Sequence, residues 1–320
     1  MMELNGVMVF SENVELELQL LGKGAELAEK LDTELQAVLI GSDVTDASTL
    51  IEHGAERVYV VENPELGHFA FEPYRTAILE AIKRASPEII LFGATKRGKE
   101  LAPRVAAALD TGCMTECIGL DVDDERRLLA ERLTYGGSCV ANEMSRKKPH
   151  IATIPPRTFQ KPEPSKRVGE VIKLDFEVPA SRIAIVERKE KSRGEGGLEE
   201  APIIVAAGRG FREKEDLKLL EELADVLGAK VGCTRPIAAD SGWLDEWIGI
   251  SGLKVGPRLY LACGISGTVQ HAAGIRDAQI IVSINKDEAA NIFELSDYGV
   301  VGDLYKVLPA LTKALKSRRK

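Results

Sequence analysis

Short runs rich in Val, Ile and Leu alternate with amphipathic helical stretches through the first part of the chain, which restricts it to parallel strands covered by helices. Runs at 6–10, 34–40, 57–61 and 88–92 are predicted strands, with predicted helices at 15–31, 71–85 and 100–109. A doubly wound sheet follows, since strands without polar alternation must be buried on both faces. Shorter runs at 128–133, 138–143 and 150–154 come next, separated by Tyr135-Gly136-Gly137 and Arg146-Lys147-Lys148-Pro149. They are expected to form an antiparallel add-on at the edge of this domain. Pro155, Pro156, Pro162 and Pro164 then force an extended path, and one more strand-like stretch leads into 187–200, ERKEKSRGEGGLEE. That segment is charged and Gly-containing with no apolar face, as a linker is. Strands are predicted again at 203–207, 230–233, 259–262 and 279–284, with helices at 214–227, from 268 and from 304. The expected organisation is α/β with two domains: a doubly wound N-terminal domain (1–186) with its antiparallel add-on, a linker (187–200), and a C-terminal Rossmann-like domain (201–320).

Composition narrows the function classes. With 320 residues, 44% hydrophobic and 29% charged, the chain has ordinary globular usage and enough material for two cores. A net charge of -8 opposes a broad footprint on nucleic acid, so no nucleic-acid partner is expected. The N-terminus lacks a basic region followed by an apolar core, and no stretch approaches the roughly 20 apolar residues of a membrane span, so no membrane insertion is expected. Five cysteines, an odd number in apolar or small-residue surroundings, suit buried thiols in a reducing compartment, and the cytoplasm is the expected location. His53, His68 and His150 have no metal-ligand partner at helical or knuckle spacing, and Cys113 and Cys117 form a lone C-x3-C pair, so no metal site is expected.

Three glycine-bearing turns follow predicted strands. Gly93-Ala94-Thr95-Lys96-Arg97-Gly98-Lys99 has the spacing of a phosphate loop, which would make the chain an ATP-binding switch. The residue after Lys99 opposes this: a phosphate loop needs Ser or Thr there to ligate magnesium, and Glu100 would set a carboxylate beside the phosphates. Gly208-Arg209-Gly210 begins like a dinucleotide fingerprint but has Glu213 where the third glycine belongs. The third turn is the strongest signal. In 259–271, LYLACGISGTVQH, an apolar strand passes through small residues into a helix start, where a pyrophosphate can approach backbone N–H groups and the hydroxyls of Ser266 and Thr268. A tight turn with no ligand explains the same residues.

Three blocks in order, GCTRPIAADSGW, LYLACGISGTVQHAAG and INKDEAANIFELSDYGVVGDLYKVLPAL, resemble the alpha subunit of electron-transfer flavoproteins. LFGATKRGKELAPRVAAAL and TYGGSCVA in the first domain agree more loosely. The resemblance implies an FAD-binding C-terminal domain, a partner-binding N-terminal domain of the adenine-nucleotide-hydrolase-like class, and a heterodimer with an electron-transfer flavoprotein beta subunit. Such a complex relays electrons between dehydrogenases and an acceptor such as a quinone oxidoreductase. The chain is then a carrier rather than a stand-alone catalyst, with no nucleophile, general base or substrate pocket of its own.

The resemblance also implies roles for particular residues. Arg235, preceded by Thr234, lies near the isoalloxazine, where a guanidinium stabilises negative charge on the reduced ring. The stretch Ile248, Gly249, Ile250 and Ser251 runs under the ring, with the Ser251 hydroxyl toward flavin N5. Many relatives have Gln-Thr where this chain has Ile250-Ser251, so the hydroxyl is kept and an amide is lost. Ser266, Gly267, Thr268, Val269, Gln270 and His271 wrap the pyrophosphate, and His271 points toward the pyrimidine edge as a donor. Asn285, Asp303 and Leu304 fall at the adenosine end, and Arg209 near the phosphates or adenine. If this site had drifted, the chain would be a cofactor-free scaffold, a reading supported only by Ile250.

Overall fold

The computed structural model describes residues 4–137, 139–179, 181, 183, 186–187 and 197–318. The chain divides into two compact units, Met1–Arg188 and Lys189–Lys320. Most of the linker expected at 187–200 (residues 188–196) lies outside the described residues, as does Ser138.

In the first unit the elements run β1 (Val7–Phe10), α1 (Val14–Leu31), β2 (Leu35–Gly41), α2 (Ala47–Glu52), β3 (Arg57–Glu62), α3 (Phe71–Ala85), β4 (Ile89–Gly93) and α4 (Gly98–Ala108). They continue through β5 (Cys113–Met114), β6 (Cys117–Val122), β7 (Leu128–Thr134), β8 (Cys139–Met144), β9 (His150–Ile154) and β10 (Glu170–Lys173). Seven strands form a parallel sheet in the order β10-β3-β2-β1-β4-β9-β5. β1 and β4 are buried along their whole length, as the unbroken apolar runs require, because helices cover both faces. Leu20, Leu21 and Leu27 of α1 pack on one face, and Ile78, Leu101 and Val105 of α3 and α4 on the other.

The antiparallel add-on exists, but its membership differs from the expectation. It is β6-β7-β8, paired antiparallel, whereas His150–Ile154 is β9, a parallel strand of the main sheet between β4 and β5. All five β9 residues are buried, and its sequence HIATI lacks the polar alternation that β7 and β8 show. A further expectation fails at Cys139, which is exposed on β8. Cys117 is buried, and burial pushes its thiol up to about 12.

The second unit carries β11 (Ile203–Ala207), α5 (Leu217–Leu227), β12 (Lys230–Cys233), β13 (Leu259–Cys263), α6 (Val269–Ile275), β14 (Ile281–Asn285), β15 (Tyr298–Val301) and α7 (Leu304–Arg318). Its sheet is wholly parallel, ordered β12-β11-β13-β14-β15. Leu220 and Leu223 of α5 and Leu308 of α7 fill one face and Ile248, Ile275 and Ile292 the other. β15 is not a predicted strand: all four of its residues are exposed, so it has no apolar run to betray it. The two-domain α/β reading therefore holds, with a doubly wound strand order in each unit.

One buried ionisable group sits at the carboxyl end of the first sheet. The Glu17 carboxyl of α1 is completely buried, and burial first, then the neighbouring Asp46 and Glu12, raise its pKa well above the ordinary range, with the backbone at Ser11 and Val38 pulling it partly back. Between its unfolded and folded pKa values the native state holds the extra proton, so stability falls as pH rises through that window. Glu17→Gln removes the dependence. Its gain in stability over the wild type grows from about pH 4.5 upward, as read from denaturant midpoints in a pH series, and a gain that is flat with pH contradicts the assignment.

Candidate functional site

In an open parallel sheet the ligand crevice lies at the carboxyl ends of the strands where the order reverses. In the second unit that point is between β11 and β13, whose neighbours β12 and β14 lie on opposite sides. A cleft of about 1120 Å³ opens there, beyond the roughly 300–1,000 Å³ of ordinary small-molecule sites.

Its floor is glycine. The Gly208 N–H donates to Cys263 O (2.9 Å) and the Gly210 N–H to Gly264 O (3.0 Å), drawing the two strand ends into backbone contact. A Cβ on Gly208 would stand 2.3 Å from Gly264 O, and one on Gly264 2.8 Å from Gly210 Cα. Gly264 and Gly267 have φ of +64° and +80°, the left-handed region that side chains disfavour. Gly267 also lies so close to the next segment that a Cβ would meet Ile292 N at 2.3 Å. Ile292 N donates to Ser266 O (3.1 Å), so that carbonyl is engaged by the 3-10 segment Asn291–Leu295. Thr268 is the N-cap of α6. α6 has only seven residues, so at this turn the exposed polar groups are backbone N–H groups and hydroxyls more than the end of a long helix dipole.

Of the residues singled out from sequence, the cleft is lined by Arg209, Thr234, Arg235, Ile248, Gly249, Ile250, Ser251, Ser266, Gly267, Thr268, Gln270, His271, Asn285, Asp303 and Leu304. Val269 does not line it, and its side chain is 62% exposed. Thr234 bridges Ile248, and Ile248 in turn bridges Leu253, so the loop 248–253 lies alongside the end of β12. The Ile250 N–H donates to Gln270 O (2.8 Å), and the residue stands 55% exposed at the cleft wall.

His271 is buried and both ring nitrogens have protein partners. Nδ1 lies 3.0 Å from Ile248 O, which can only accept, so Nδ1 carries the proton; Nε2, 2.9 Å from the Tyr260 hydroxyl, then accepts from it. Burial lowers its pKa to about 4, so the ring is neutral near pH 7. The donor expected from His271 is therefore engaged by the loop carbonyl, and what the imidazole visibly does is tie loop 248–251 to α6. Asn285 is used similarly: Nδ2 donates to Ile265 O (2.8 Å) and Oδ1 accepts from Asp287 N (3.0 Å). Asp303 accepts from Tyr305 N through Oδ1 (3.0 Å), so it caps α7 while lining the cleft.

Sequence reasoning missed Trp247, Arg212 and Tyr305, which also line the cleft. Trp247 Nε1 donates to Ser251 Oγ (3.2 Å), and the Arg235 guanidinium lies 6.0 Å from the Trp247 ring centroid. Arg212 lies over the Tyr305 ring at 5.1 Å, and the Tyr305 hydroxyl donates to Asp216. Trp247 lies four residues before Ser251, but no periodicity marks that pairing. Among the described residues no cluster of three or more His, Cys, Asp or Glu side chains is placed to hold a metal ion.

The Gly93–Lys99 turn is closed on itself. Thr95 Oγ1 accepts from Gly98 N (2.9 Å) and donates to Glu12, and the Lys99 ammonium faces Glu116 at 3.4 Å. A Cβ on Gly93 would stand 2.6 Å from Ser11 Oγ. The Thr95 hydroxyl, the Gly98 N–H and the Lys99 ammonium, which a phosphate would need, are thus already engaged by protein groups.

A glycine-floored crevice at a sheet's switch point, with a basic group, hydroxyls and a flat aromatic along its walls, is the site of an α/β protein that binds an extended nucleotide cofactor. Residues 7–179 match the electron transfer flavoprotein domain model, and residues 197–276 the electron transfer flavoprotein FAD-binding domain model. The chain is 40% identical to the electron transfer flavoprotein subunit alpha of Thermoanaerobacterium thermosaccharolyticum, covering 99% of each chain. It is 40% identical to that of Megasphaera elsdenii, covering 99% of this chain and 98% of the relative. It is also 37% identical to the lactate dehydrogenase (NAD(+),ferredoxin) subunit LctC of Acetobacterium woodii, covering 96% of this chain and 76% of that one. The chain belongs to the electron transfer flavoprotein alpha-subunit family, and its cofactor is FAD. Gly267→Ala should cost about 1–3 kcal/mol, the scale of left-handed backbone strain, and weaken FAD binding at least tenfold in a fluorescence titration; unchanged affinity would remove the turn from the phosphate site.

Proposed function

We propose that FAD lies along the C-terminal cleft with its pyrophosphate over the glycine floor, its isoalloxazine toward Arg235, Ile250 and Ser251, and its adenosine toward Asn285, Asp303 and Leu304. The observation that carries this reading is the glycine floor at the β11/β13 switch point, where an added Cβ at any of three positions would enter backbone already in contact. FAD, when bound, supplies one- and two-electron chemistry; this chain's residues bind it, orient it and set its potential. Ser266 and Thr268 offer hydroxyls to the phosphates, Asp303 keeps one carboxylate oxygen for ribose hydroxyls, and Arg209 adds positive charge. Arg235 places a guanidinium against the ring, favouring the state that carries added negative charge. His271 acts by holding the Ile248 carbonyl, and with it the loop that presents Ser251.

The site favours a carrier over a catalyst. Its one histidine is neutral with both nitrogens engaged, which leaves it no lone pair with which to activate a hydroxyl in the cleft. In the cell the chain works as a cytoplasmic heterodimer with an electron-transfer flavoprotein beta subunit, its N-terminal domain (1–186) serving as the partner-binding module. The complex takes electrons from dehydrogenases and delivers them to an acceptor such as a quinone oxidoreductase. No helix of the described residues is long and apolar enough to cross a membrane.

The test is co-expression with a beta-type subunit. The expected product is a yellow heterodimer with FAD in this chain, and Arg235→Leu should lower the two-electron midpoint potential by roughly 30–60 mV, the equivalent of about 1.5–3 kcal/mol for a charged hydrogen bond. A colourless heterodimer that cannot be loaded with FAD would establish the scaffold reading instead. Magnesium-dependent ATP binding abolished by Lys99→Ala would revive the nucleotide switch.

A further inference from the structure

Trp247 stands at a junction the cofactor assignment does not use. Its indole N–H donates to Ser251 Oγ at 3.2 Å, and its ring centroid lies 6.0 Å from the Arg235 guanidinium, so one side chain is hydrogen-bonded to one of the groups expected at the isoalloxazine and faces the other. The arrangement is built into the loop backbone. Leu253 N donates to Trp247 O (2.8 Å) and Gly252 N to Gly249 O (3.0 Å), closing the loop around the indole. A Cβ on Gly252 would stand 2.1 Å from Trp247 O and 2.7 Å from its Nε1, so residue 252 must lack a side chain for the indole to lie there. Trp247 also lines the cleft itself.

We propose that Trp247 is a positioning residue for the electron-transfer chemistry: its indole N–H fixes the Ser251 hydroxyl as a hydrogen-bond donor toward the flavin, and its face seats Arg235 beside the ring. This rests on the placement of the isoalloxazine proposed above. Indole nitrogen is a donor only. When Ser251 Oγ accepts from it, one of the hydroxyl's two lone pairs is taken and its own proton is turned away from the indole, which biases the hydroxyl toward donating into the cleft. A hydroxyl held as donor favours flavin N5 without a proton and disfavours N5–H, which needs an acceptor. The first electron is thereby made easier to add and the second harder. Without the indole N–H the serine rotor is free to donate or accept, and the two potentials move together. The cation–π contact acts in the same direction, because an Arg235 held against the indole is less free to swing into solvent.

The experiment uses the holo heterodimer with Trp247→Phe, Ser251→Ala and the double variant, reading the first- and second-electron midpoint potentials by anaerobic titration. Phenylalanine keeps an aromatic face for Arg235 and removes only the N–H. Trp247→Phe should reduce the equilibrium constant separating the two electrons about tenfold, a narrowing of about 59 mV, with FAD content unchanged. Ser251→Ala should narrow it as well, and adding Trp247→Phe to Ser251→Ala should change nothing further. Unshifted potentials in Trp247→Phe beside shifted ones in Ser251→Ala would overturn the proposal, as would strictly additive shifts. If Trp247→Phe does not retain FAD, the wild-type and Ser251→Ala complexes decide by NMR: the Trp247 indole N–H resonance moves upfield on Ser251→Ala if the bond exists, and an unmoved resonance overturns it. A wild-type complex without FAD would defeat the functional reading itself, whereas FAD present with a silent Trp247 defeats only this inference.

Discussion

Backbone contact between the ends of two adjacent parallel strands organises the C-terminal unit. β11 and β13 are each followed directly by a glycine, Gly208 and Gly264, and the bonds Gly208 N to Cys263 O and Gly210 N to Gly264 O bring the turns after them together with no side chain between them. That contact leaves the carboxyl edge of the sheet open along one line, and the cleft follows it. It also sets where the flanking loops must run. The 248–253 loop bridges back to Thr234 at the end of β12, and the 3-10 segment after β14 lies against Gly267, close enough to exclude any side chain there. The residues on the walls are thus positioned by backbone packing, and their side chains need supply only charge, hydroxyls and a flat face.

The apolar runs are enough to read four strands of each sheet, β1–β4 and β11–β14, because a parallel strand buried on both faces must be apolar without interruption. The same reasoning failed wherever an element lacked that signature. β15 is exposed along its whole length, and α2 has six residues, too short for a periodic face to declare itself. His150–Ile154 differs in the opposite way: a short run after two turn-rich segments resembles them in sequence, although its burial on both faces and its parallel pairing with β4 put it in the main sheet. Turns and chain order suggest neighbours, but only long-range pairing decides them.

At the site, the positions read from the family blocks lie together in one cleft, with Val269 pointing outside it. What the sequence did not carry was how those side chains are already engaged. His271 and Asn285 look like ligand contacts in one dimension, and in three they hold Ile248 and Ile265 carbonyls. Trp247 was invisible for the converse reason: its importance lies in what it touches, Ser251 and Arg235, and an isolated tryptophan in a loop has no pattern. Residue type reports capacity for a bond, and the partner is a property of the fold.

The two units make the same point at the level of architecture. Both are parallel sheets in which the strand order reverses beside the first strand, and both place a glycine-bearing turn at that reversal. In the N-terminal unit the crevice is filled from within: Ser11 lies against Gly93, the Thr95 hydroxyl bonds Glu12 and caps α4, and Glu17 is buried beneath with its carboxyl pushed toward neutrality. Acidic groups packed there also oppose any phosphate. In the C-terminal unit the equivalent space is bounded by glycine and by side chains that hold carbonyls away, and the charge on the adjoining walls includes Arg209 and Arg235. Topology therefore offers a reversal twice in this chain, and side-chain volume and charge differ between the two: acidic and hydroxyl groups bond one another beside Gly93, whereas glycine and arginine line the cleft beside Gly208.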